Sequence, residues 1–295
     1  MATLDSSLVG TPVRGLTREV DWRQTTAYAA AVGDANPRYL DDTTEGGLVA
    51  PPLFAVAVTW PVISDLAGQL GAALPADVIP TMVHASEHLV LHRPIRPGDR
   101  LDLGGEVAAV IPGRAGTRVV LRLDASAGGE PVFTEYAGAT FRGVSCADDG
   151  EGADAVPAPP RLDDTGEPRW SAELLIPREL PYVYDACSDI VFAIHTSVAI
   201  ARAVGLPDVI LQGTATLALA ARELLDREAG GDPARLREVG CRFAGMVVPG
   251  RPIQVELLHR IEDDDGADLG FRVLADGGVP ALLGGYARIT TGSEP

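Results

Sequence analysis

The stretch GTATLALAARELL, at residues 213–225, decides the fold that the sequence predicts. Nearly every position in it is apolar or small, so a helix over these residues would be buried on every side. The chain after it carries runs that alternate between apolar and polar residues, such as IQVEL at residues 253–257. Alternation with a period of two is typical of half-buried antiparallel strands. A buried helix followed by such strands indicates an α+β module whose sheet wraps around the helix.

The plan of residues 170–295 occurs a second time, in residues 1–144. In each half a polar loop precedes a long apolar segment, and a Pro-Gly turn then leads into strand-like runs. Residues 145–169, between the halves, are rich in Asp, Glu, Gly and Pro, which is linker composition. The sequence therefore predicts two tandem modules joined by an acidic linker and paired across a pseudo-twofold axis, as the subunits of a homodimer would be. A homodimer of the whole chain is a further expectation.

The composition narrows the classes of function. A net charge of −17 opposes binding to nucleic acid or to an anionic membrane. No apolar stretch is long enough to predict a membrane span, and no basic region followed by an apolar block predicts a signal peptide. The three cysteines are widely scattered, which favours reduced thiols, and we expect a cytoplasmic protein. All 24 basic residues are Arg, which excludes a Schiff-base lysine.

The loop of the first half reads GDANPRY at residues 33–39, and APPLF follows at residues 50–54. These motifs resemble the MaoC-like dehydratases and (R)-specific enoyl-thioester hydratases, whose hotdog fold carries a Gly-Asp-x-Asn-Pro-x-His loop. The resemblance covers nearly the whole chain apart from the linker, and it implies a double hotdog. It also implies that an Asp and a His handle the proton and the water during hydration of an α,β-unsaturated acyl thioester. Helix N–H groups would then face the thioester oxygen.

The first half departs from this pattern at Tyr39, which stands where the family has its catalytic His. Tyrosine, with an ordinary pKa near 10, is a poor base at neutral pH. We therefore expect Asp34 and Asn36 only to cap and hold a turn, so that the first-half site is degenerate.

The second half reads SDIVFAIHT at residues 188–196 and keeps a His, His195. Fused relatives read Asp-Ile-Trp-Asn-Pro-Ile-His here, with the same spacing as from Asp189 to His195. The resemblance therefore implies that His195 is the acid/base and Asp189 its partner. The family's Trp, Asn and Pro have become Val191, Phe192 and Ala193, which makes the site more apolar and less suited to holding water.

The start of the buried helix completes the predicted site. Gln212 stands where relatives usually have a His. The Gln amide can still form hydrogen bonds, but unlike the imidazole it is not titratable. Gly213 and Thr214 would supply the oxyanion N–H groups, although ordinary capping by Thr214 is an alternative. We expect five substrate-binding residues, namely Val191, Phe192, Gln212, Gly213 and Thr214.

These residues support three hypotheses. The leading one is a hydro-lyase acting on an acyl thioester of coenzyme A or of an acyl carrier protein, with no metal or redox cofactor. An alternative keeps the fold and assigns a cyclisation or isomerisation in specialised, polyketide-like metabolism. A third assigns a non-catalytic acyl-binding or partner subunit. The segment that carries the histidines at positions 84, 88 and 92 is predicted to be a strand, which would spread these side chains along one face. We therefore expect no metal site there.

Overall fold

The computed structural model describes residues 3–160 and 162–292. The strands of its first half are β1 (Pro12–Glu19), β2 (Met82–Leu91), β3 (Arg100–Ile111), β4 (Gly116–Ala127) and β5 (Glu130–Arg142). Those of its second half are β6 (Trp170–Leu175), β7 (Leu236–Phe243), β8 (Pro252–Glu262), β9 (Gly266–Ala275) and β10 (Val279–Thr290).

These strands form a single sheet in the order β1-β3-β4-β5-β2-β7-β10-β9-β8-β6. Each half contributes the same order of its own strands, and the two halves join through the antiparallel pair of β2 and β7. The predicted alternating runs are thus strands, and the two modules share one sheet across the pseudo-twofold axis. The predicted α+β double hotdog is confirmed.

The helices of the first half are α1 (Trp22–Ala31), α2 (Pro37–Leu40), α3 (Phe54–Ser64) and α4 (Leu66–Leu70). Those of the second half are α5 (Leu180–Ser188), α6 (Val198–Ala203) and α7 (Gly213–Glu228). The buried helix of each module is α3 or α7. Of the 16 residues of α7, eleven are buried, from Thr214 to Leu225. The prediction of a helix over residues 213–225 is confirmed, and the helix continues to Glu228.

The two modules share a continuous core. Its largest apolar cluster contains residues of both α3 and α7, so neither module closes its apolar interior alone. Tyr28 on α1 and Tyr184 on α5 meet inside it, with their hydroxyl oxygens 3.2 Å apart and their ring centroids 5.7 Å apart. The two tyrosines are 156 residues apart, the same separation as between Tyr39 and His195. Equivalent residues of the repeat therefore touch at the pseudo-twofold axis.

The chain between β5 and β6 is anchored to both halves. The Asp148 carboxylate accepts a hydrogen bond from the Ser6 hydroxyl at 2.6 Å, and the Asp164 carboxylate accepts the N–H of Gly284 at 3.0 Å. The proposed module boundaries, at residues 144 and 170, lie close to the end of β5 and the start of β6. Within the described ranges, no helix has the length and apolar character to span a bilayer.

Candidate active site

The candidate site is the loop that joins α5 to α6. Asp189 ends α5 in the left-handed conformation, with φ of 57°, and its N–H donates to the Asp185 carbonyl oxygen. Residues Ala193–His195 then form one turn of 3₁₀-helix, and the Ser197 hydroxyl caps α6 by accepting the N–H of Ile200. The loop is therefore fixed at both ends, and its last turn presents His195.

The imidazole of His195 is held in one orientation by the backbone. Its Nδ1 lies 2.8 Å from the carbonyl oxygen of Ile210, just before the start of α7. A carbonyl oxygen can only accept, so Nδ1 carries the hydrogen and Nε2 of the neutral ring is left unprotonated. Burial lowers the pKa of His195 below its ordinary value, although the bond to Ile210 partly opposes this. At neutral pH the ring is therefore uncharged, with Nε2 able to take a proton.

Asp189 and His195 form no direct hydrogen bond or ion pair with each other in the described part of the chain. The Asp189 side chain is 71% exposed, and one of its oxygens lies 3.8 Å from a guanidinium nitrogen of Arg18 on β1. Among the described residues, this ion pair is the side-chain contact that the structure gives Asp189. The left-handed residue that closes α5 thus places its carboxylate near Arg18 of β1.

Val191 and Phe192 are the exposed apolar residues of the loop and form its outer rim. Val191 and Phe192 are 60% and 51% exposed, whereas the sequence predicted an apolar wall inside the site. The Phe192 ring centroid lies 6.1 Å from that of His195. Phe192 is thus beside the imidazole but faces solvent, because the loop turns back at the 3₁₀ turn that follows it.

The start of α7 lies next to the His195 loop and carries an unused acceptor. Gln212 is buried, and its Nε2 donates to the carbonyl oxygen of Pro181 at 3.0 Å. Its Oε1 is also buried and has no hydrogen-bond partner among the described residues. Thr214 does not cap the helix, because its hydroxyl accepts from Tyr184 at 3.2 Å. The N–H groups at the start of α7 have no side-chain cap.

The close packing at Gly213 explains why this position has no side chain. A methyl group added at Gly213 would lie 2.8 Å from a ring carbon of Phe243, the last residue of β7. The aromatic ring therefore covers the first turn of α7.

The loop of the first module is bound to the second module instead of being open. The Asp34 carboxylate accepts the N–H of Asn36 at 3.1 Å, and the Asn36 side chain caps α2. Asn36 also donates from Nδ2 to the carbonyl oxygen of Gly231, beyond α7, at 2.6 Å. The Tyr39 ring is fully buried, and its hydroxyl has no hydrogen-bond partner within the described ranges. Burial raises the pKa of Tyr39 well above its ordinary value, and the nearby Asp34 charge adds to this rise.

The sequence did not indicate two further features of the site. One is the contact of Tyr28 with Tyr184, which the repeat offset of 156 residues could have revealed. The other is Asp185 on α5, one oxygen of which accepts the N–H of Phe192 while Oδ2 is buried without a partner in the described structure. Burial raises the pKa of the Asp185 carboxyl. Asp185 lies four residues before Asp189, and on a helix this spacing could have indicated that the two side chains are neighbours.

No group of three or more metal-ligating side chains comes together in the part of the chain that the structure describes. His84 and His88 both lie on β2, as predicted for a strand. They do not share one environment, because a register shift between His84 and Ser86 interrupts the alternation of side chains.

Comparison with known proteins extends these findings. Residues 7–135 match the family model for the FAS1-like dehydratase domain region, and residues 183–268 match the model for the MaoC like domain. A UPF0336 protein of Streptomyces coelicolor is 34% identical over 117 residues, which are 36% of this chain and 73% of that protein.

Solved structures show the same fold. A MaoC-like dehydratase from Phytophthora capsici has a TM-score of 0.82 at 22% identity, covering 97% of this chain and 98% of that one. A Mycobacterium tuberculosis protein described as a double hotdog has a TM-score of 0.57 at 18% identity, covering 94% and 95% of the two chains. Fold and site thus define a double-hotdog protein with an imidazole in the loop of its second module. The second module thus carries a MaoC like domain and the first a FAS1-like dehydratase region, and these two matches support a hydro-lyase or hydratase function.

Proposed function

We propose that the chain is an acyl-thioester hydro-lyase, cytoplasmic, whose substrate is carried by coenzyme A or an acyl carrier protein. The observation that supports this most is the state of His195. Its Nδ1 is occupied by the Ile210 carbonyl oxygen, its pKa is lowered by burial, and its Nε2 is left as a base beside the start of α7.

In the dehydration direction, Nε2 of His195 takes the proton from Cα of a 3-hydroxyacyl thioester. Negative charge then develops on the thioester oxygen, and the N–H groups of Gly213 and Thr214 stabilise it. The bond between Cβ and its oxygen breaks, the proton held by His195 is given to the leaving hydroxyl, and water and the enoyl thioester remain. The free Oε1 of Gln212 would accept a hydrogen bond from the substrate hydroxyl and so orient it.

Asp189 has a smaller part in this proposal than the resemblance implied. It lies at the rim of the site, and Arg18 balances its charge. We therefore expect loss of the Asp189 carboxylate to affect turnover less than loss of the His195 imidazole.

The second candidate function is a cyclisation or isomerisation on a specialised, polyketide-like metabolite. Two observations favour it over water chemistry, namely the exposed Asp189 carboxylate and the Phe192 ring beside the imidazole. The imidazole can still move a proton, while the Asp189 carboxylate contacts Arg18 and an apolar ring borders the imidazole. A non-catalytic acyl-binding or partner subunit is the third candidate.

The test compares His195→Gln with Tyr39→Phe, a change at the equivalent position of the other module. Hydration of enoyl-CoA and dehydration of 3-hydroxyacyl-CoA are measured over short and medium chains. We expect His195→Gln to lose about 10²–10⁴-fold in kcat, the usual contribution of a general base, and Tyr39→Phe to retain wild-type turnover. Undiminished turnover in His195→Gln would show that the proposed mechanism is wrong.

The same panel separates the alternatives. Efficient turnover of crotonyl-CoA by the wild type would count against the cyclase or isomerase. Thermal stabilisation by acyl-CoA without turnover, together with activity on mixing with a second chain, would support the partner subunit.

A further inference from the structure

Large apolar side chains are exposed on three segments of the second module. Exposed apolar residues that occur singly are ordinary on a protein surface, whereas a contiguous group of them marks a binding surface. Six such residues are between 38% and 60% exposed. We call them the apolar rim: Tyr182 and Val183 on α5, Val191 and Phe192 in the His195 loop, and Met246 and Val248 between β7 and β8.

Two segments of the apolar rim adjoin the imidazole. The Phe192 ring centroid lies 6.1 Å from that of His195, whose Nδ1 contacts the Ile210 carbonyl oxygen. One residue further along the chain, the N–H of Leu211 donates to the Val247 carbonyl oxygen at 2.9 Å. Val247 is buried, and its two neighbours in the chain are the exposed residues of that segment. The His195 loop and the β7–β8 segment are therefore held at adjacent residues.

The third segment is held at the residue that follows. Gln212 donates from Nε2 to the Pro181 carbonyl oxygen at 3.0 Å, and Pro181 directly precedes the exposed residues of α5. Residues 210, 211 and 212 thus hold the three segments of the apolar rim around the start of α7. The thioester oxygen site that we propose lies at this helix start, so a substrate bound there adjoins the rim.

The fold itself does not require an apolar rim. The same backbone contact exists in the first module, where the N–H of Ala50 donates to the Ile95 carbonyl oxygen at 2.8 Å. Ile95 and Val247 are both buried, and each stands two residues before a Pro-Gly pair. The β2–β3 and β7–β8 segments are therefore equivalent in the repeat, as are α1 and α5 and the two loops.

The equivalent positions of the first module carry smaller or more polar side chains at all six places. In the order of the apolar rim they are Thr26, Ala27, Ala35, Asn36, Pro94 and Arg96. Equal backbone positions with different side chains indicate that the rim serves what the second module binds and not how the module folds.

Aromatic rings fill the inner sides of the same helix start. Tyr184 is fully buried, and its hydroxyl donates to that of Thr214, in the first turn of α7, at 3.2 Å. The Tyr28 ring centroid lies 5.7 Å from that of Tyr184, and the Phe243 ring covers Gly213 from β7. A substrate chain at the proposed thioester site therefore extends outward, because these rings occupy the directions towards the core.

We propose that the apolar rim binds the acyl chain of the substrate, and that this chain is long and apolar. This rests on the proposed function and names the substrate class of the same site. A short acyl group ends beside the imidazole, whereas each further CH₂ group of a longer chain covers part of the rim. Removing CH₂ groups from water is favourable, so affinity rises with chain length.

The first test needs no turnover. Saturated acyl-CoA thioesters of increasing chain length are titrated calorimetrically, below the concentrations at which they form micelles. We expect Kd to fall between about twofold and fourfold per CH₂ group, the upper value corresponding to complete burial. This dependence should weaken in Phe192→Ser and in Met246→Ser. A wild-type Kd that does not change with chain length overturns the proposal.

The matched control is Ile261→Ser on β8. Ile261 is an apolar residue of similar exposure that lies outside the three segments of the apolar rim. This variant should keep the wild-type dependence of Kd on chain length. Circular dichroism checks that each variant is folded, and an equal weakening in Ile261→Ser would mean that the effect is not specific to the rim.

The second test measures KM and kcat on 3-hydroxyacyl-CoA thioesters of the same lengths. Phe192→Ser and Met246→Ser should raise KM for long chains more than for short ones, because only long chains reach the rim. A merely structural role would instead change the constants equally at every length, and that result would overturn the proposal. Absence of wild-type turnover, with length-dependent binding intact, would overturn the proposed function but leave the acyl-binding rim.

A second copy of the chain is the other occupant that an apolar surface admits. Sedimentation velocity of the wild type and of both rim variants distinguishes it. A wild-type dimer that dissociates in Phe192→Ser and Met246→Ser, with the chain-length dependence of Kd unchanged, would assign the rim to self-association and overturn the proposal. We expect the three proteins to share one oligomeric state.

Discussion

At the scale of single residues, the two modules place different side chains at one position of the repeat. Tyr39 and His195 are 156 residues apart in the chain and occupy equivalent loops. Tyr39 is fully buried under a loop that is bonded to Gly231, whereas His195 has a backbone partner on one nitrogen and a free second nitrogen. The environment, as much as the side chain, leaves one site closed and the other usable.

The buried hydroxyl of Tyr39 predicts a stabilising substitution. It has no hydrogen-bond partner in the described structure, and an unpaired buried polar group costs about 1–3 kcal/mol. Tyr39→Phe removes this cost and keeps the ring, so the free energy of unfolding should rise by about 1 kcal/mol. Urea unfolding followed by circular dichroism measures the change. A clear loss of stability would mean that the hydroxyl is bonded in solution.

His195 predicts a pH dependence of activity. Its base form is neutral, and burial lowers its pKa, so the neutral form persists below the ordinary histidine range. Turnover should stay constant down to about pH 6.5 and fall only at lower pH, as the ring becomes protonated. Profiles of kcat/KM against pH test this in the wild type, and His195→Gln should lack that acidic limb.

At the scale of elements, the start of α7 is the part of the molecule that a small change should disturb most. A Cβ at Gly213 would lie 2.8 Å from the Phe243 ring, below normal contact distance. Gly213→Ala should therefore lower stability by about 1–3 kcal/mol, the usual cost of overpacking. The double variant Gly213→Ala with Phe243→Leu should recover much of this loss, which a double-mutant cycle measures. Additive losses would mean that the two positions are not in contact.

The elements were more predictable from the sequence than their contacts. The apolar helix at residues 213–225, the alternating strands and the repeated plan predicted two modules, each with a sheet around a buried helix. The resemblance of the loop motifs to a known family then implied the double hotdog. The Asp189 contact depends on one left-handed residue at a helix end, which no spacing rule conveys. Glu87 has the same strand parity as the buried Leu89 and Leu91, so a signal of its burial was present in β2. Charged residues are rarely buried, so the residue type argued against the burial that this parity indicated.

At the scale of the whole molecule, the carboxyl groups of Glu87 on β2 and Glu135 on β5, both buried, predict a pH-dependent stability. The pKa of Glu87 is raised to about 8 in the fold, above its unfolded value, so its contribution is complete at low pH and is lost as pH rises towards 8. The lowered pKa values of His84 and His195 act in the opposite direction, but only below about pH 6.5. Between pH 6.5 and 8 the free energy of unfolding should therefore fall, by at most about 1.4 kcal/mol per pH unit for each retained proton.

Urea unfolding at pH 6.5, 7.2 and 8 in wild type and Glu87→Gln checks this. The variant carries no ionisable group at position 87, so its stability should depend less steeply on pH. Parallel slopes in the two proteins would show that Glu87 does not hold its proton in the fold.

The covalent connection of the two modules has a consequence for how such a protein diversifies. In an assembly of identical subunits, every substitution occurs in each subunit. A change that improves the site of one subunit therefore also alters the site of the other. Here each loop has its own stretch of sequence. The first loop can carry Tyr39 and bind the second module, while the second loop carries His195. In a single chain of this kind, the two halves of a symmetric scaffold can vary independently.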